Sequence, residues 1–158
     1  MALTPLTAIT PIDGRYISKT SSLQAYFSEA ALIKFRVQVE IEYFIALCNS
    51  SILQLNHFPE NKFTTLRNLY TKFNESDAKR IKEIEITINH DVKAVEYFIK
   101  EKFDKLGLKD YREFIHFGLT SQDINNTALP LMIRDSLDKV IFPSYKAIIK
   151  EIHKWLCS

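Results

Sequence analysis

Glycine is the scarcest informative residue in this sequence. Three occur in 158 residues, Gly14, Gly107 and Gly118, where average usage would supply about 11. Phosphate-cradling loops and dinucleotide folds need glycines at short fixed spacing, and these three stand too far apart. Hairpin-rich β architectures need positive-φ turns, so the same shortage counts against them. A helical protein needs few glycines. Cysteine is also scarce. Cys48 and Cys157 cannot frame a disulfide scaffold and suit a reducing cytosol. No CxxC occurs and no two histidines take helical zinc spacing, so no metal site is expected. Charge of one sign never accumulates. Lysine and arginine total 21 against 19 acidic residues, a formal charge of +2, and neither a nucleic-acid nor a membrane footprint is expected. The longest uncharged stretch, Tyr43 to Pro59, carries Asn49, Gln54, Asn56 and His57 and reads as no membrane span. The first 13 residues lack the basic start and apolar core of a signal peptide.

What is present suits one folded domain. Hydrophobic residues make up 46% and charged residues 25%, both ordinary for a globular chain. Pro5, Pro11 and the Asp13-Gly14 turn signal predict a looped N-terminal arm over residues 1–21. Leu3, Leu6, Ile9 and Ile12 are its expected apolar anchors. Ser28 to Asn49 alternates charged and apolar residues locally, as a strand would. It runs over 20 residues without Gly or Pro, too long for a typical strand, and Arg36–Glu40 falls at i,i+4. Helix is the better reading. Phe63, Leu66, Tyr70 and Phe73 predict a helix over 61–73, with Asn61 as N-cap. Ser76 is expected to open another that fails at Thr87-Ile88-Asn89-His90. Asp91 is then the expected N-cap of a helix with Val92, Val95, Phe98 and Ile99 on one face, closed near Gly107. Asp110 and Glu113 suggest a capping box. After a break at 116–120, one long helix is expected to the end, kinked at Pro130 and Pro143. Its apolar pattern still runs at Trp155 and Leu156, with no stop signal. A truncated chain explains that; a helix packing on residues already present is the alternative.

Three polar clusters fall at breaks between helices. They are Asp13-Gly14-Arg15-Tyr16, Asn89-His90-Asp91, and His116 through Asp123. The second and third lie at expected helix N-termini, where free N–H groups and the helix dipole favour an anion. Thr120 and Ser121 add hydroxyls there. Arg15 can form bidentate contacts with phosphate or carboxylate, and Tyr16 adds a ring and a hydroxyl. The set suits a small ligand bearing several negative groups. Structural roles account for each residue taken singly: capping for Asp91, Thr120 and Ser121, a surface ion pair for Arg15, a turn for His90, and a semi-buried position for His116. Cys48 reads as a buried apolar residue. His57 and His153 have no polar company.

Four segments together carry a resemblance. They are Leu6 to Tyr16, Lys34-Phe35-Arg36-Val37-Gln38-Val39-Glu40, Asn89 to Tyr97, and Phe114 to Asn126 with its Thr120-Ser121-Gln122-Asp123 motif. In them the chain resembles the adenylosuccinate lyase family of the fumarase/aspartase superfamily, and looks most similar to one bacterial subgroup. The resemblance is collinear over nearly the whole chain. It implies an all-α fold: an N-terminal helical lyase domain over 1–110, then the start of the central helical bundle over 111–158. It implies a cytoplasmic homotetramer in purine biosynthesis that needs no cofactor and releases fumarate from succinylated nucleotide substrates by β-elimination. Arg15 and Tyr16 would contact the nucleotide. Asn89, His90 and Asp91 would line the pocket, with His90 orienting substrate. Thr120 and Ser121 would hold the succinyl carboxylate, with His116 nearby. Gln122 stands where many relatives are acidic. The general acid and the serine base of the family would lie past Ser158, so the chain alone is expected to be inactive. The other readings are a lyase of the same superfamily with a different substrate, and a non-catalytic helical association module.

Overall fold

A computed structural model describes residues 4–157. Among them the secondary structure is helical, with no strand. The α-helices are α1 (Ile17–Thr20), α2 (Gln24–Phe27), α3 (Glu29–Cys48), α4 (Phe63–Thr71), α5 (Glu75–Ile88), α6 (Asp91–Lys105), α7 (Ser121–Ser136) and α8 (Phe142–Leu156). The all-α expectation holds, and the ambiguous Ser28–Asn49 segment is the longest helix. Its apolar residues surround the axis because most of it is buried or half-buried. Two compact units divide the chain. One comprises residues 4–31 and 132–157 of the described chain, the other Leu32–Leu131.

The Leu32–Leu131 unit holds the main core. Val37, Ile41 and Phe44 of α3, Leu66 of α4, Ile81 of α5, and Val95, Phe98, Ile99 and Phe103 of α6 are almost wholly buried in it. Phe44 is the aromatic hinge. Its ring meets Phe58 and Phe103 edge to face at centroid distances of 5.2 and 5.0 Å, the arrangement ring quadrupoles favour. Cys48 is half-buried, and burial pushes its thiol up to about 11, which makes it inert. Glu42 accepts both Arg67 Nε and Nη2 at 2.8 and 3.0 Å, and Tyr70 O–H at 2.7 Å. The Arg67 bond holds the Glu42 carboxyl below its ordinary range against the opposing effect of burial. Burial and the same carboxylate push the Tyr70 phenol up to about 12.

Several boundaries differ from the sequence expectation. Asn61 lies within a 3-10 turn, Glu60–Lys62, and α4 starts after it with no side-chain cap. Asn74, not Ser76, caps α5, in a reciprocal box with Asp77. His90, not Asp91, caps α6. The 3-10 run Lys109–Phe114 has no side-chain cap, and Glu113 turns instead to Lys100 and Arg112. At α5 and α6 the extended residue that caps stands one or two positions before the expected one, whereas the residues ahead of α4 and of Lys109–Phe114 are not extended and no side chain caps there.

In the other unit, Leu6, Ile9 and Ile12 are exposed, so they anchor nothing; Leu3 lies outside the described residues. The arm is instead turned by backbone bonds, including Gly14 N–H to Thr10 C=O at 3.1 Å. A Cβ on Gly14 would come within 3.1 Å of Ala8 Cβ and the Pro5 and Thr10 carbonyls. The last helical stretch runs through Pro130, which lies inside α7. Ahead of Pro143 the helix widens to a π turn, Leu137–Ile141. Pro143 has no N–H to give and its ring crowds the carbonyl four residues back, which the wider turn relieves. Along α8, Tyr145, Ile148, Ile152 and Trp155 form an exposed apolar face.

Phe44→Ala is expected to cost about 3–5 kcal/mol of stability, the usual range for emptying a buried aromatic site. The urea midpoint checks this, and a loss near zero would show that the core does not close on Phe44.

Candidate active site

Three polar side chains mark one face of α3. Arg36, Glu40 and Tyr43 follow at spacings of four and three, so they project in one direction. Arg36 is 5% exposed. Its Nη2 lies 2.8 Å from Asp91 Oδ2, and its Nε donates to Asn125 Oδ1 at 3.0 Å. Glu40 is fully buried and hydrogen-bonds through Oε1 to His116 Nδ1. Tyr43 O–H donates to the Phe117 carbonyl at 2.9 Å. One helix face thus holds the start of α6, the 115–120 loop and the second turn of α7. Arg36 and Glu40 do not pair with each other, as their i,i+4 spacing suggested. Both reach across to other elements.

The first cluster on this scaffold is the α5–α6 corner. Asn89 ends α5 in the left-handed region, φ 53°, with its N–H on the Glu85 carbonyl at 2.7 Å. His90 then turns extended, and its Nδ1 accepts the Lys93 N–H at 3.1 Å. An accepting Nδ1 puts the proton of the neutral ring on Nε2. That nitrogen lies 3.5 Å from Ser121 Oγ. Asp91 opens α6. Burial raises its pKa, but the Val92 N–H and the Arg36 guanidinium outweigh that and hold the carboxyl below its ordinary range.

The second cluster is the loop into α7. His116 adopts φ 60° and Gly118 φ 71°, two left-handed residues that fold the chain sharply back. Thr120 donates its N–H and its hydroxyl to Asp123 Oδ2 at 2.7 and 2.8 Å. The Thr120 N–H, then the hydroxyl, holds the Asp123 carboxyl below its ordinary range. The Thr120 hydroxyl is therefore committed to Asp123, and Ser121 is the hydroxyl that faces His90. Ser121 and Gln122 are the first residues of α7, with no carbonyl a full turn back for their N–H groups. Asn89, His90, Asp91 and Thr120 are exposed and Ser121 half-buried, so a ligand can reach them.

Arg15 and Tyr16 belong to the other unit. The Arg15 guanidinium lies 4.7 Å from the Tyr16 ring centroid and donates to Tyr16 Oη at 2.7 Å. Arg15 also lines an open cleft of about 350 Å³ with Pro5, Ala8, Ile9, Thr10 and Pro11.

A family model described as lyase matches residues 14–155. The chain belongs to this lyase family. Among curated relatives, the adenylosuccinate lyase of Dictyostelium discoideum is 58% identical over 94% of this chain and 33% of its own length. Those of Haemophilus influenzae and Escherichia coli are 47% and 46% identical, each over 96% of this chain and 34% of their own. The chain thus spans about a third of the length of the curated relatives it matches. The amoebal lyase is more similar than these bacterial ones, so the likeness is not confined to the expected bacterial subgroup.

Four residues that build the cluster escaped the sequence reading as site residues: Arg36, Glu40, Tyr43 and Asn125. Only one signal was available for the first three. Two charged residues and a tyrosine share one face of a helix rich in apolar residues, and burial of that face forces those charges inward.

Arg36→Met is expected to cost about 1–3 kcal/mol, since it removes a buried charged donor from two acceptors. The pH dependence gives a second check. A carboxyl whose folded pKa is depressed contributes stability above its unfolded pKa, about 3.9, and that contribution is lost as pH falls through the folded value. Arg36→Met is expected to lose less stability than the parent over this acid range, as read from urea midpoints against pH. Parallel curves would mean that Asp91 draws nothing from Arg36.

Proposed function

We propose that this chain is the N-terminal third of an adenylosuccinate lyase. The complete enzyme would cleave a C–N bond by β-elimination, releasing fumarate from adenylosuccinate to leave AMP, and from succinyl-aminoimidazole-carboxamide ribotide earlier in purine biosynthesis. The observation that carries the reading is the match to adenylosuccinate lyases at 46–58% identity over nearly the whole chain. Residues 1–110 would form the N-terminal helical domain and 111–158 the start of a central bundle. The exposed apolar face of α8 suits packing within a homotetramer, and a cytoplasmic setting suits the substrates. No described helix is long and apolar enough to cross a membrane.

The elimination needs a base beside a carboxylate, an acid for the leaving nitrogen, and donors for the charge that builds between. In this reading, Ser121 and the first N–H groups of α7 take the succinyl carboxylate, and Thr120, expected to share in that contact, instead holds the turn through Asp123. A helix N-terminus favours that anion. His90 orients substrate through Nε2–H, while Asn89 and Asp91 line the pocket and His116 stands beside it. Arg15 and Tyr16 meet the nucleotide. The general acid and base come from the part of the enzyme that this chain does not span.

Two experiments test the reading. The 158 residues alone are expected to release no fumarate, whereas the complete enzyme does so from adenylosuccinate; turnover by the short chain at the rate of the complete enzyme would overturn it. In the complete enzyme, His90→Ala is expected to cut kcat and to lose about 1 kcal/mol with its cap. His90→Asn keeps a good cap but no imidazole. It is expected to restore the stability and not the rate, and recovery of both would remove the ring from the reaction.

A further inference from the structure

Glu40 is the most deeply buried ionisable group in the candidate site, and the proposed reaction leaves it without a role. Its side chain is fully buried in α3. Oε1 meets His116 Nδ1, and Oε2 has no hydrogen-bond partner. Burial pushes the Glu40 carboxyl above its ordinary range, and a second buried carboxylate, Glu96, adds to this against the pull of His116. A buried ion held by one partner is expensive, and apolar residues of similar volume often serve stability as well or better. His116 itself is a left-handed residue, a conformation costly to a non-glycine side chain unless its surroundings hold it. Tyr43, one turn beyond Glu40, ties down the next carbonyl. Two residues of one helix thus fix both the ring and the backbone of this loop.

We propose that Glu40 is a positioning residue for His116: its buried carboxylate holds Nδ1 and so presents Nε2, on the opposite edge of the ring, to the substrate side. A carboxylate at Nδ1 keeps the proton on that nitrogen. Nε2 is then an acceptor on the neutral ring and a donor once protonated. Orienting partners of this kind govern the tautomer and direction of functional histidines. The inference rests on the lyase reading, because it needs a substrate for Nε2 to meet.

The test is a double-mutant cycle on kcat/KM for adenylosuccinate in the complete enzyme, with Glu40→Gln, His116→Asn and both together. Glu40→Gln keeps shape and one acceptor, so the melting temperature is expected to stay close to that of the parent. Its kcat/KM is expected to fall about tenfold or more. In the His116→Asn background the same change is expected to cost almost nothing, since a residue that acts through His116 has nothing left to orient. Equal losses in both backgrounds, or an unchanged kcat/KM in folded Glu40→Gln, would overturn the proposal. If Glu40→Gln folds poorly, Glu40→Asp enters the same cycle; it keeps the charge but withdraws it by one methylene, and the same coupling is expected. The lyase reading fails separately, by absence of fumarate from the unaltered complete enzyme.

Discussion

Arg36 and Glu40 lie one turn apart on the buried face of α3, and each is drawn to a different loop. Arg36 reaches Asp91 at the start of α6 and Asn125 in the second turn of α7, while Glu40 takes His116 between them. Water is largely excluded here, so neither charge can be satisfied except by a partner placed at the right distance. That requirement runs in both directions. The core around Phe44 and Phe98 fixes where α3 lies, and the two charges then fix where the loops go. Burial of apolar area has no direction; a buried guanidinium and a buried carboxylate do.

This division of labour explains what could be read from the sequence. The helices were legible because spacing alone reports a helical face, as with Val92, Val95, Phe98 and Ile99. The breaks were legible because Gly118 and Asn89 mark them, whereas Pro130 and Pro143 sit within helix. The long α3 was ambiguous for a physical reason: a helix buried on most sides has little amphipathic contrast, so its local alternation resembled a strand. Caps were off by one or two residues at Ser76 and Asp91, because several adjacent polar residues can cap and backbone geometry decides among them, and Asn61 caps nothing because α4 follows a 3-10 turn with no side-chain cap. The apolar residues of the N-terminal arm were misjudged since hydrophobicity does not guarantee a partner; Leu6 and Ile9 remain in solvent.

The candidate site was legible in part. Its exposed members stand in polar clusters at breaks, where composition draws notice. The members behind them do not. Arg36–Glu40 at i,i+4 is the pattern of an ordinary surface pair, and nothing local tells it from two inward charges. The difference lies in the residues between and around them, Phe35, Val37, Ile41 and Phe44, which bury the whole turn. A charged pair inside a run of that kind is a tertiary signal, and recognising it requires counting how few polar positions the helix leaves for solvent.

His90 shows why the structural and the functional reading of a residue need not compete. As N-cap of α6 it spends Nδ1 on the Lys93 N–H, and that bond dictates which nitrogen carries the proton. The capping bond is local and would exist in an isolated helix. Its consequence is not local, because Nε2 is thereby turned to Ser121 at the head of another helix. Glu40 does for His116 what the α6 backbone does for His90: each occupies Nδ1 and leaves Nε2 for a different partner. Two imidazoles are held by Nδ1, one by a main-chain donor and one by a buried acid. The first accepts and the second, facing a carboxylate, donates, so their Nε2 atoms carry opposite hydrogen-bonding character when both rings are neutral. A donor and an acceptor offered from one scaffold suit a substrate that brings both a negative oxygen and an N–H, as a succinylated amine does.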